Sequence, residues 1–292
     1  MQDNIALFYN PVAGGGAFKN NLDMVIYQFQ KRGLQVIPWR IKNNAGIKEQ
    51  LAKIDPNKYH TIIAAGGDGT INGVVNAMMQ CGLNIPLGIF PEGTANDVAN
   101  YLKIPNKIKE YCRVITEGQL INIDLGVVND EYFINVASAG FLTETAHEVD
   151  HSLKNVLGKM AYYLKTIEKL PKIKSLRLQL TADGQHHDME IFMFLILNGG
   201  TAGGFQGILP AGKMGDGKLD FLAIKSVPRL AHLIYKFNKG QLLQDDNIFY
   251  CQGQEFTLNL KPSATTDLDG ERGPALPWKV SVCPQALQVR IP

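Results

Sequence analysis

Apolar and polar positions alternate in two different ways along this chain. In roughly the first 125 residues, short apolar runs are separated by segments whose apolar residues recur at helical spacing. That alternation predicts a parallel sheet with helices on both of its faces. The predicted strands cover residues 5–9, 35–40, 61–65 and 85–90. The predicted helices cover residues 18–31, 47–53 and 71–79, and another begins after residue 97.

Beyond residue 118 the pattern changes to short strands separated by turn residues, which is typical of an antiparallel sandwich-like domain. Strands are predicted at residues 121–128, 132–137, 174–181, 189–197, 219–224, 255–260 and 278–282. Two helical patterns interrupt them, at residues 155–170 and 228–240. We therefore predict an α/β fold with an N-terminal parallel-sheet domain over residues 1–125 and a C-terminal antiparallel β-sandwich domain over residues 126–283.

Composition narrows the class of protein. The apolar fraction of 45% is that of a globular protein, and a net charge of +2 is too small to indicate nucleic-acid binding. The longest strongly apolar run, residues 191–197, is far shorter than the roughly 20 residues that span a bilayer. No signal-peptide pattern is visible, and the four cysteines are widely spaced, as expected of buried free thiols. These features predict a cytoplasmic protein.

Charge is concentrated in one segment. Between His151 and Arg177 there are seven Lys or Arg residues and one acid, Glu168, so this segment alone carries +6. Aromatic and aliphatic residues are interleaved with the basic ones. A basic amphipathic helix of this kind can lie on an anionic membrane surface. The alternative is an ordinary surface helix with a solvated lysine face.

A glycine-rich turn follows the third predicted strand and contains the sequence Gly66-Gly67-Asp68-Gly69-Thr70. Glycines let backbone N–H groups approach a bulky anion, and a helix beginning at Thr70 would direct its positive end toward that anion. The sequence therefore predicts a phosphate site with an acid beside it. It is not a P-loop, because no lysine follows. The alternative is a tight strand-to-helix turn.

Two other turns rich in glycine or Asx residues, at residues 10–16 and 91–97, also follow predicted strands. Ligands of open α/β sheets bind at this carboxyl edge. Acids that follow neighbouring strands can meet there, and clustered carboxylates need a cation between them. We therefore predict a magnesium site that uses Asp68, Asp97 and Asp124. The alternative is that Asn96 and Asp97 cap a helix.

Two further acidic motifs lie in the second half of the chain. Asp216 is flanked by glycines in a loop whose carbonyl groups could join its carboxylate around a second metal ion, although an Asp-Gly turn is the alternative. Asp269 and Glu271 would share one face of an extended chain, so that one could accept a hydroxyl proton and the other could orient it. The alternative there is an acidic surface turn.

Taken in order, these motifs resemble the diacylglycerol kinase catalytic-domain family, in particular its soluble bacterial lipid kinases, with sphingosine and ceramide kinases as more distant relatives. The resemblance covers the whole chain. It rests on Asn10-Pro11 with Gly14 and Gly16, Gly66 to Asn72, Pro91-x-Gly93-Thr94-x-Asn96-Asp97, Ile123 to Gly126, Gly140-Phe141, Asn198-Gly199 with Gly203-Gly204, Asp216-Gly217-x-Leu219-Asp220 and Asp269-Gly270-Glu271. The Gly-Gly-Asp-Gly-Thr motif alone is shared with NAD kinases, whereas the ordered set is specific to lipid kinases.

The resemblance implies ATP and magnesium as cofactors and assigns residues to each. The implied nucleotide-binding residues are Asn10, Pro11, Val12, Ala13, Gly14, Arg40, Gly66, Gly67, Asp68, Gly69, Thr70, Ile71, Asn72, Thr94 and Asn96. The implied magnesium residues are Asp68, Asp97 and Asp124 in one network, and Asp216 with the carbonyl groups of Lys213 and Lys218 in a structural site. Glu271 or Asp269 is implied as the proton acceptor, with Asp68 also catalytic.

The resemblance further implies a nucleotide-binding N-terminal domain that the last strand, residues 284–292, rejoins, and a lipid-substrate sandwich domain. Two positions depart from the family pattern. Asn100 stands where the family usually has arginine, and Arg40 stands where it usually offers a threonine to the nucleotide.

The implied reaction is ATP-dependent phosphorylation of a lipid hydroxyl, most simply that of diacylglycerol, by an enzyme associated peripherally with the membrane. A sphingoid base or a polyprenol is an alternative acceptor. A kinase for NAD or a sugar phosphate and a non-catalytic lipid or nucleotide sensor are alternative functions. The oligomeric state is open, with a homodimer among the options.

Overall fold

The computed structural model describes residues 3–42, 44–140, 175–202, 205–206, 209, 212–225, 236 and 241–292. The chain forms two compact units, one made of Met1–Leu125 with Cys283–Pro292 and the other of Gly126–Val282. The chain therefore leaves the first unit once and returns to it once.

The first unit contains a parallel sheet, as predicted. Its strands lie in the order β2, β1, β3, β4, with every neighbouring pair parallel. The strands are β1 (Asn4–Tyr9), β2 (Gln35–Arg40), β3 (Tyr59–Gly66) and β4 (Leu87–Pro91). The helices are α1 (Ala17–Gln30), α2 (Asn44–Leu51), α3 (Asp68–Gln80), α4 (Asp97–Tyr101) and α5 (Ile108–Glu117).

Burial on both faces explains the continuous apolar runs of these strands. Ile5 and Leu7 pack in one cluster with residues of α1 and α5, whereas Ala6 and Phe8, which point to the opposite face, are just as buried. Within the cluster Phe90 meets Tyr111 of α5 edge to face, with ring centroids 4.3 Å apart. The α5 helix was not predicted, although its apolar residues recur at helical spacing.

The second unit is built of antiparallel strands, which confirms the predicted class of this domain. The strands that lie wholly or partly in this unit are the end of β5 (Gln119–Val128), β6 (Glu131–Phe133), β7 (Val136–Gly140), β8 (Leu176–Ala182), β9 (Gln185–Leu197), β10 (Thr201–Ala202), β11 (Phe205–Gln206), β12 (Leu219–Lys225), β13 (Ile248–Gly253), β14 (Glu255–Lys261), β15 (Thr266–Leu268), β16 (Glu271–Arg272) and the first part of β17 (Trp278–Ile291).

The long strand β9 organises this unit. Its first half, residues 185–191, pairs with β8, and its second half, residues 193–197, pairs with both β7 and β12. The order of pairing runs β16, β15, β7, β9, β8, β14, β17, with β13 beside β12. Phe194 and Phe221 stack inside with ring centroids 5.5 Å apart, and Trp278 meets Phe194 edge to face. These aromatic side chains thus fill part of the core of the second unit.

Several expectations differ from the structure. Strand β13 was not predicted, and β17 is one strand rather than two separate ones at residues 278–282 and 284–292. Its end pairs in parallel with β4 through Val289 and Leu87. All four cysteines are free, but only Cys112 is buried, whereas burial of all four was expected.

Other expectations fall on parts of the chain outside the described residues. The helical pattern at residues 155–170 lies wholly outside them, the one at 228–240 lies outside them except for Lys236, and the basic segment lies outside them up to residue 174. Among the residues that are described, no helix is both long and apolar enough to cross a bilayer.

Arg290 fastens the end of β17 inside the first unit. Its Nη1 donates to the carbonyl oxygen of Gly118 at 3.3 Å, and its Nη2 lies 3.3 Å from Nε2 of His60. The other imidazole nitrogen, Nδ1, lies 2.8 Å from Oγ1 of Thr61. Because Arg290 can only donate, Nε2 of His60 must accept, and the imidazole is therefore neutral with its proton on Nδ1.

We predict that lowering the pH destabilises the first unit, because His60 becomes protonated. Burial, and then the charge of Arg290, lowers the pKa of His60 below its ordinary value of 6.5. Neutral His60 therefore contributes stability that is fully present above its pKa in the unfolded state. That contribution is lost as the pH falls through this pKa toward the lower pKa of His60 in the folded state. Between pH 7.5 and pH 5.5 the unfolding midpoint of the wild type in urea should fall more than that of His60→Gln. The His186→Gln variant, altered at an exposed site on β9, should follow the wild type. Equal pH dependence in the wild type and His60→Gln would contradict this account.

Candidate active site

Three turns meet at the carboxyl edge of the parallel sheet. They follow β1, β3 and β4, and backbone hydrogen bonds join them: Asn10 N–H donates to Ala65 O and Glu92 N–H to Gly66 O, both at 2.9 Å. The second and third turns touch through glycines. A Cβ added to Gly93 would lie 2.6 Å from the Cα of Gly67, so a side chain there would separate the two turns.

The helix that starts at the second turn has a glycine at its N-cap. Its N-cap residue is Gly67, which makes no side-chain capping bond, and α3 begins at Asp68. A helix N-terminus concentrates positive partial charge on its first N–H groups, so this edge suits an anionic group such as a phosphate. The glycine cradle and the uncapped helix therefore fit the nucleotide that the family implies.

Asp68 latches the second turn to the third. Its Oδ2 accepts a hydrogen bond from the N–H of Asn96, and its Oδ1 accepts one from the N–H of Asp97, both at 2.9 Å. The carboxylate, which belongs to the first residue of α3, thus caps the N-terminus of α4. Asn96 has a left-handed backbone (φ 51°), and its side chain does not cap α4. The side-chain amide instead accepts a hydrogen bond from the N–H of Gly93 and donates one to the carbonyl of Gly93.

The remaining implied nucleotide residues cluster on the same edge. Asn10 bridges the first and second turns, since its Nδ2 donates to Oγ1 of Thr70 at 3.3 Å while its Oδ1 accepts from the N–H of Val12. Val12 is 76% exposed. The side chain of Arg40 is exposed at the end of β2, beside Tyr9.

Some of the implied residues can offer only backbone atoms or are already engaged. Ile71 has a side chain that is fully buried in the core. Asn72 accepts hydrogen bonds from Nδ2 of Asn76, one turn further along α3, through both its carbonyl oxygen and its Oδ1. Thr94 is exposed in the third turn, and Pro11, Ala13, Gly14 and Gly69 lie in the turns or at the start of α3.

Of the acids assigned to the first magnesium site, Asp97 and Asp124 are buried and Asp68 is half-buried. Asp97 is 7% exposed and Asp124 is fully buried, with the Oδ1 of Asp124 accepting from the N–H of Gln285 at 2.7 Å. In the described ranges no three His, Cys, Asp or Glu side chains are grouped so that they could share a metal ion. The donors fit a magnesium ion that keeps most of its waters and meets one or two carboxylates. The network through water stays a prediction.

The loop assigned to a second metal forms an Asx turn. The Oδ1 of Asp216 accepts from the N–H of Lys218 at 3.1 Å, and Nε2 of Gln254 donates to the carbonyl of Gly217. The side chains of Lys213 and Asp216 are exposed. The loop offers oxygen ligands, which are those that magnesium prefers.

Sequence reasoning missed the role of Asp220, which follows this loop. It is 4% exposed, and its Oδ1 accepts from the hydroxyl of Tyr250 at 2.6 Å and from Nε2 of Gln252 at 2.8 Å. Burial raises the pKa of Asp220, against the opposing effect of these two hydrogen bonds, and the charge of Asp216 raises it further. Both partners come from β13, the strand that sequence reasoning also missed.

The structure corrects the prediction that Asp269 and Glu271 share one face. Asp269 and Gly270 have φ of 52° and 91° and form the two-residue turn between β15 and β16, so the chain is not extended there. The pair of positive φ values is that of a type I′ turn, for which Asp-Gly is a preferred sequence. That signal was available in the sequence.

The two carboxylates consequently have different surroundings. Asp269 is 5% exposed, and its carboxylate accepts three backbone N–H groups, from Ile134 at 2.6 Å, Asn135 at 2.9 Å and Val136 at 2.8 Å. Glu271 is exposed, and its carboxylate has no hydrogen-bond or ion-pair partner in the described part of the chain. Of the two, only Glu271 has a carboxylate open to a substrate.

Comparison with known proteins agrees with the resemblance. Residues 4–128 match the family profile described as diacylglycerol kinase catalytic domain. Residues 135–291 match the profile described as YegS C-terminal NAD kinase beta sandwich-like domain.

Full-length relatives and a solved structure agree as well. A diacylglycerol kinase of Bacillus subtilis is 34% identical over 93% of this chain and 90% of its own length. A diacylglycerol kinase of Staphylococcus saprophyticus is 29% identical over all of this chain and 96% of its own. A crystal structure of a diacylglycerol kinase from Bacillus anthracis has a TM-score of 0.82 at 25% identity and covers 99% of this chain and 97% of that one. The predicted family and enzyme class are confirmed: this chain belongs to the diacylglycerol kinase family of lipid kinases.

Proposed function

We propose that this protein transfers the γ-phosphoryl group of ATP to the hydroxyl of diacylglycerol, giving phosphatidate. The observation that carries the nucleotide half of the proposal is the cradle of three turns, latched by Asp68, around the uncapped N-terminus of α3. The diacylglycerol half is supported by the names of the relatives from Bacillus subtilis and Staphylococcus saprophyticus.

In the proposed site the protein acts mainly by positioning. Phosphoryl transfer passes through a loose transition state, so catalysis depends on holding the reactants in line and offsetting negative charge. Backbone N–H groups of Gly67 to Gly69 would hold phosphate oxygens, and the hydrogen bonds of Asp68 keep their turn in place. Magnesium, when bound with the nucleotide, would neutralise phosphate charge, and Asp68, Asp97 and Asp124 would hold it through water. Asp216, with the carbonyls of Lys213 and Lys218, would hold a second ion that shapes its own loop.

Glu271 is the proposed acceptor of the lipid hydroxyl proton. Its carboxylate is exposed and unpartnered in the described chain, whereas the oxygens of Asp269 already accept three N–H groups. Asp269 is then a positioning residue, since it fixes the turn that leads directly to Glu271. We further propose a cytoplasmic enzyme that meets its lipid at the membrane surface through the basic segment 151–177.

Radiolabelled ATP tests the reaction. The full-length protein should transfer label to diacylglycerol in mixed micelles, and the product should migrate as phosphatidate. Parallel reactions contain a sphingoid base, a polyprenol or NAD as the acceptor. Label that appears in NAD alone, or in none of the lipids while the protein is folded, would contradict the proposal.

A matched pair of variants separates the two carboxylates. Glu271→Gln should lower the transfer rate by about 10²–10⁴, because a lost general base costs that much. Its free energy of unfolding should stay within about 0.5 kcal/mol of the wild type, because the side chain is exposed. Asp269→Asn should lose on the order of 2–3 kcal/mol of stability, because its new amide group faces buried N–H donors.

Urea denaturation followed by circular dichroism measures stability for both variants, and initial rates of label transfer measure activity. Glu255→Gln, altered at an exposed position of β14, serves as the control for both readouts. Full activity in Glu271→Gln would exclude it as the base. Unchanged stability in Asp269→Asn would contradict the amide contacts described for Asp269.

A further inference from the structure

Glu92 lies between Pro91 and Gly93, at the position where the Pro91-x-Gly93 motif does not specify a residue type. Neither the motifs nor the proposed mechanism gives this residue a role. It follows directly on β4. Its backbone N–H donates to the carbonyl of Gly66 at 2.9 Å, so its Cα is held beside the first glycine of the second turn.

The side chain of Glu92 reaches the first turn. A Cβ built on Gly14 would lie 2.9 Å from Oε2 of Glu92 and 2.8 Å from its carbonyl oxygen. Gly14 also has a left-handed backbone, with φ of +56°. Only a glycine at position 14 therefore leaves room for the carboxylate of Glu92. The side chain of Glu92 lies against the backbone of the first turn, while its backbone N–H is hydrogen-bonded to the second turn.

In the part of the chain that the structure describes, no hydrogen bond or ion pair reaches the carboxylate of Glu92. The residue is half-buried, and burial raises the pKa of Glu92. Removing a carboxylate from water without supplying donors is unfavourable, so an arrangement of this kind suits a carboxylate that receives its donors from a ligand.

The chemistry of a nucleotide limits which donors those are. Phosphate oxygens are anionic acceptors and would be repelled by Glu92, whereas ribose hydroxyls donate, and a pair of neighbouring hydroxyls can use both carboxylate oxygens. Other nucleotide-binding α/β folds use an acid for the ribose hydroxyl in this manner. The sugar is joined directly to the phosphates, and Glu92 adjoins the turn that would hold them.

We propose that Glu92 accepts hydrogen bonds from the ribose hydroxyls of the bound nucleotide and so selects ribonucleotides. This inference rests on the proposed use of ATP. It gives Glu92 a role in specificity rather than in the chemical step.

Calorimetric titration of the full-length protein with ADP and with 2′,3′-dideoxy-ADP, at saturating magnesium, tests the proposal. The wild type should bind ADP about tenfold more tightly, since a hydrogen bond to a charged group contributes about that factor. In Glu92→Ala the two affinities should become nearly equal, through loss of ADP affinity. Glu92→Gln, which keeps one acceptor oxygen, should give an intermediate ratio. Glu110→Gln, at an exposed position in the first turn of α5, should keep the wild-type ratio.

Each contrary outcome has a distinct meaning. If the folded wild type binds neither nucleotide, the proposed function fails and this inference fails with it. If the wild type binds ADP but Glu92→Ala keeps the tenfold preference, only the assignment of Glu92 is overturned. It is also overturned if Glu92→Ala changes both affinities equally, or changes only their dependence on magnesium concentration, because either result would place the carboxylate beside the phosphates or their metal.

Discussion

One carboxylate holds the carboxyl edge of the parallel sheet together. Asp68 stands in the first turn of α3 and accepts the N–H groups of Asn96 and Asp97, which open α4. A negative charge is favourable at the start of a helix, and here the carboxylate caps α4 while its own residue begins α3. With the two turns joined, the backbones of Gly67 and Gly93 come into contact, and the edge becomes a cradle instead of a set of separate loops.

In the second unit, too, a carboxylate holds neighbouring segments together by accepting backbone N–H groups. The carboxylate of Asp269 accepts the N–H groups of three successive residues, Ile134 to Val136, and thereby fixes the turn that precedes Glu271. In both units an acid within a glycine-containing motif organises backbone N–H groups that would otherwise lack acceptors. Glu271, the proposed acceptor of the lipid hydroxyl proton, is left exposed directly after that turn.

The fold class was predictable because its signals are local. Continuous apolar runs alternating with helical spacing predict a parallel sheet, and the glycine-rich turns follow its strands wherever the sheet places them. The strand β13 was missed because its apolar run, Ile248 to Cys251, is short, whereas its link to the neighbouring strand includes Tyr250 and Gln252, which donate to the buried Asp220. Only the paired structure reveals that relation.

The candidate site could be located from the sequence but not resolved into roles. A sequence motif does not distinguish an acidic residue that binds a metal from one that accepts a proton or one that accepts hydrogen bonds from backbone N–H groups. Asp269 was grouped with Glu271 because a strand was assumed where a turn forms, and Glu92 was passed over because its partner surface, Gly14, is 78 positions earlier in the chain. Such contacts depend on tertiary structure, which no local pattern encodes.

The proposed nucleotide site requires the three turns of the first unit to act as one structure. Amide hydrogen exchange measured by mass spectrometry, with and without saturating ADP and magnesium, tests it most directly. Slower exchange on binding is expected in all three peptides that contain residues 10–16, 66–72 and 91–97, because Asp68 joins the second turn to the third and Asn10 joins the first to the second. Protection confined to one turn, or found only elsewhere in the chain, would contradict it.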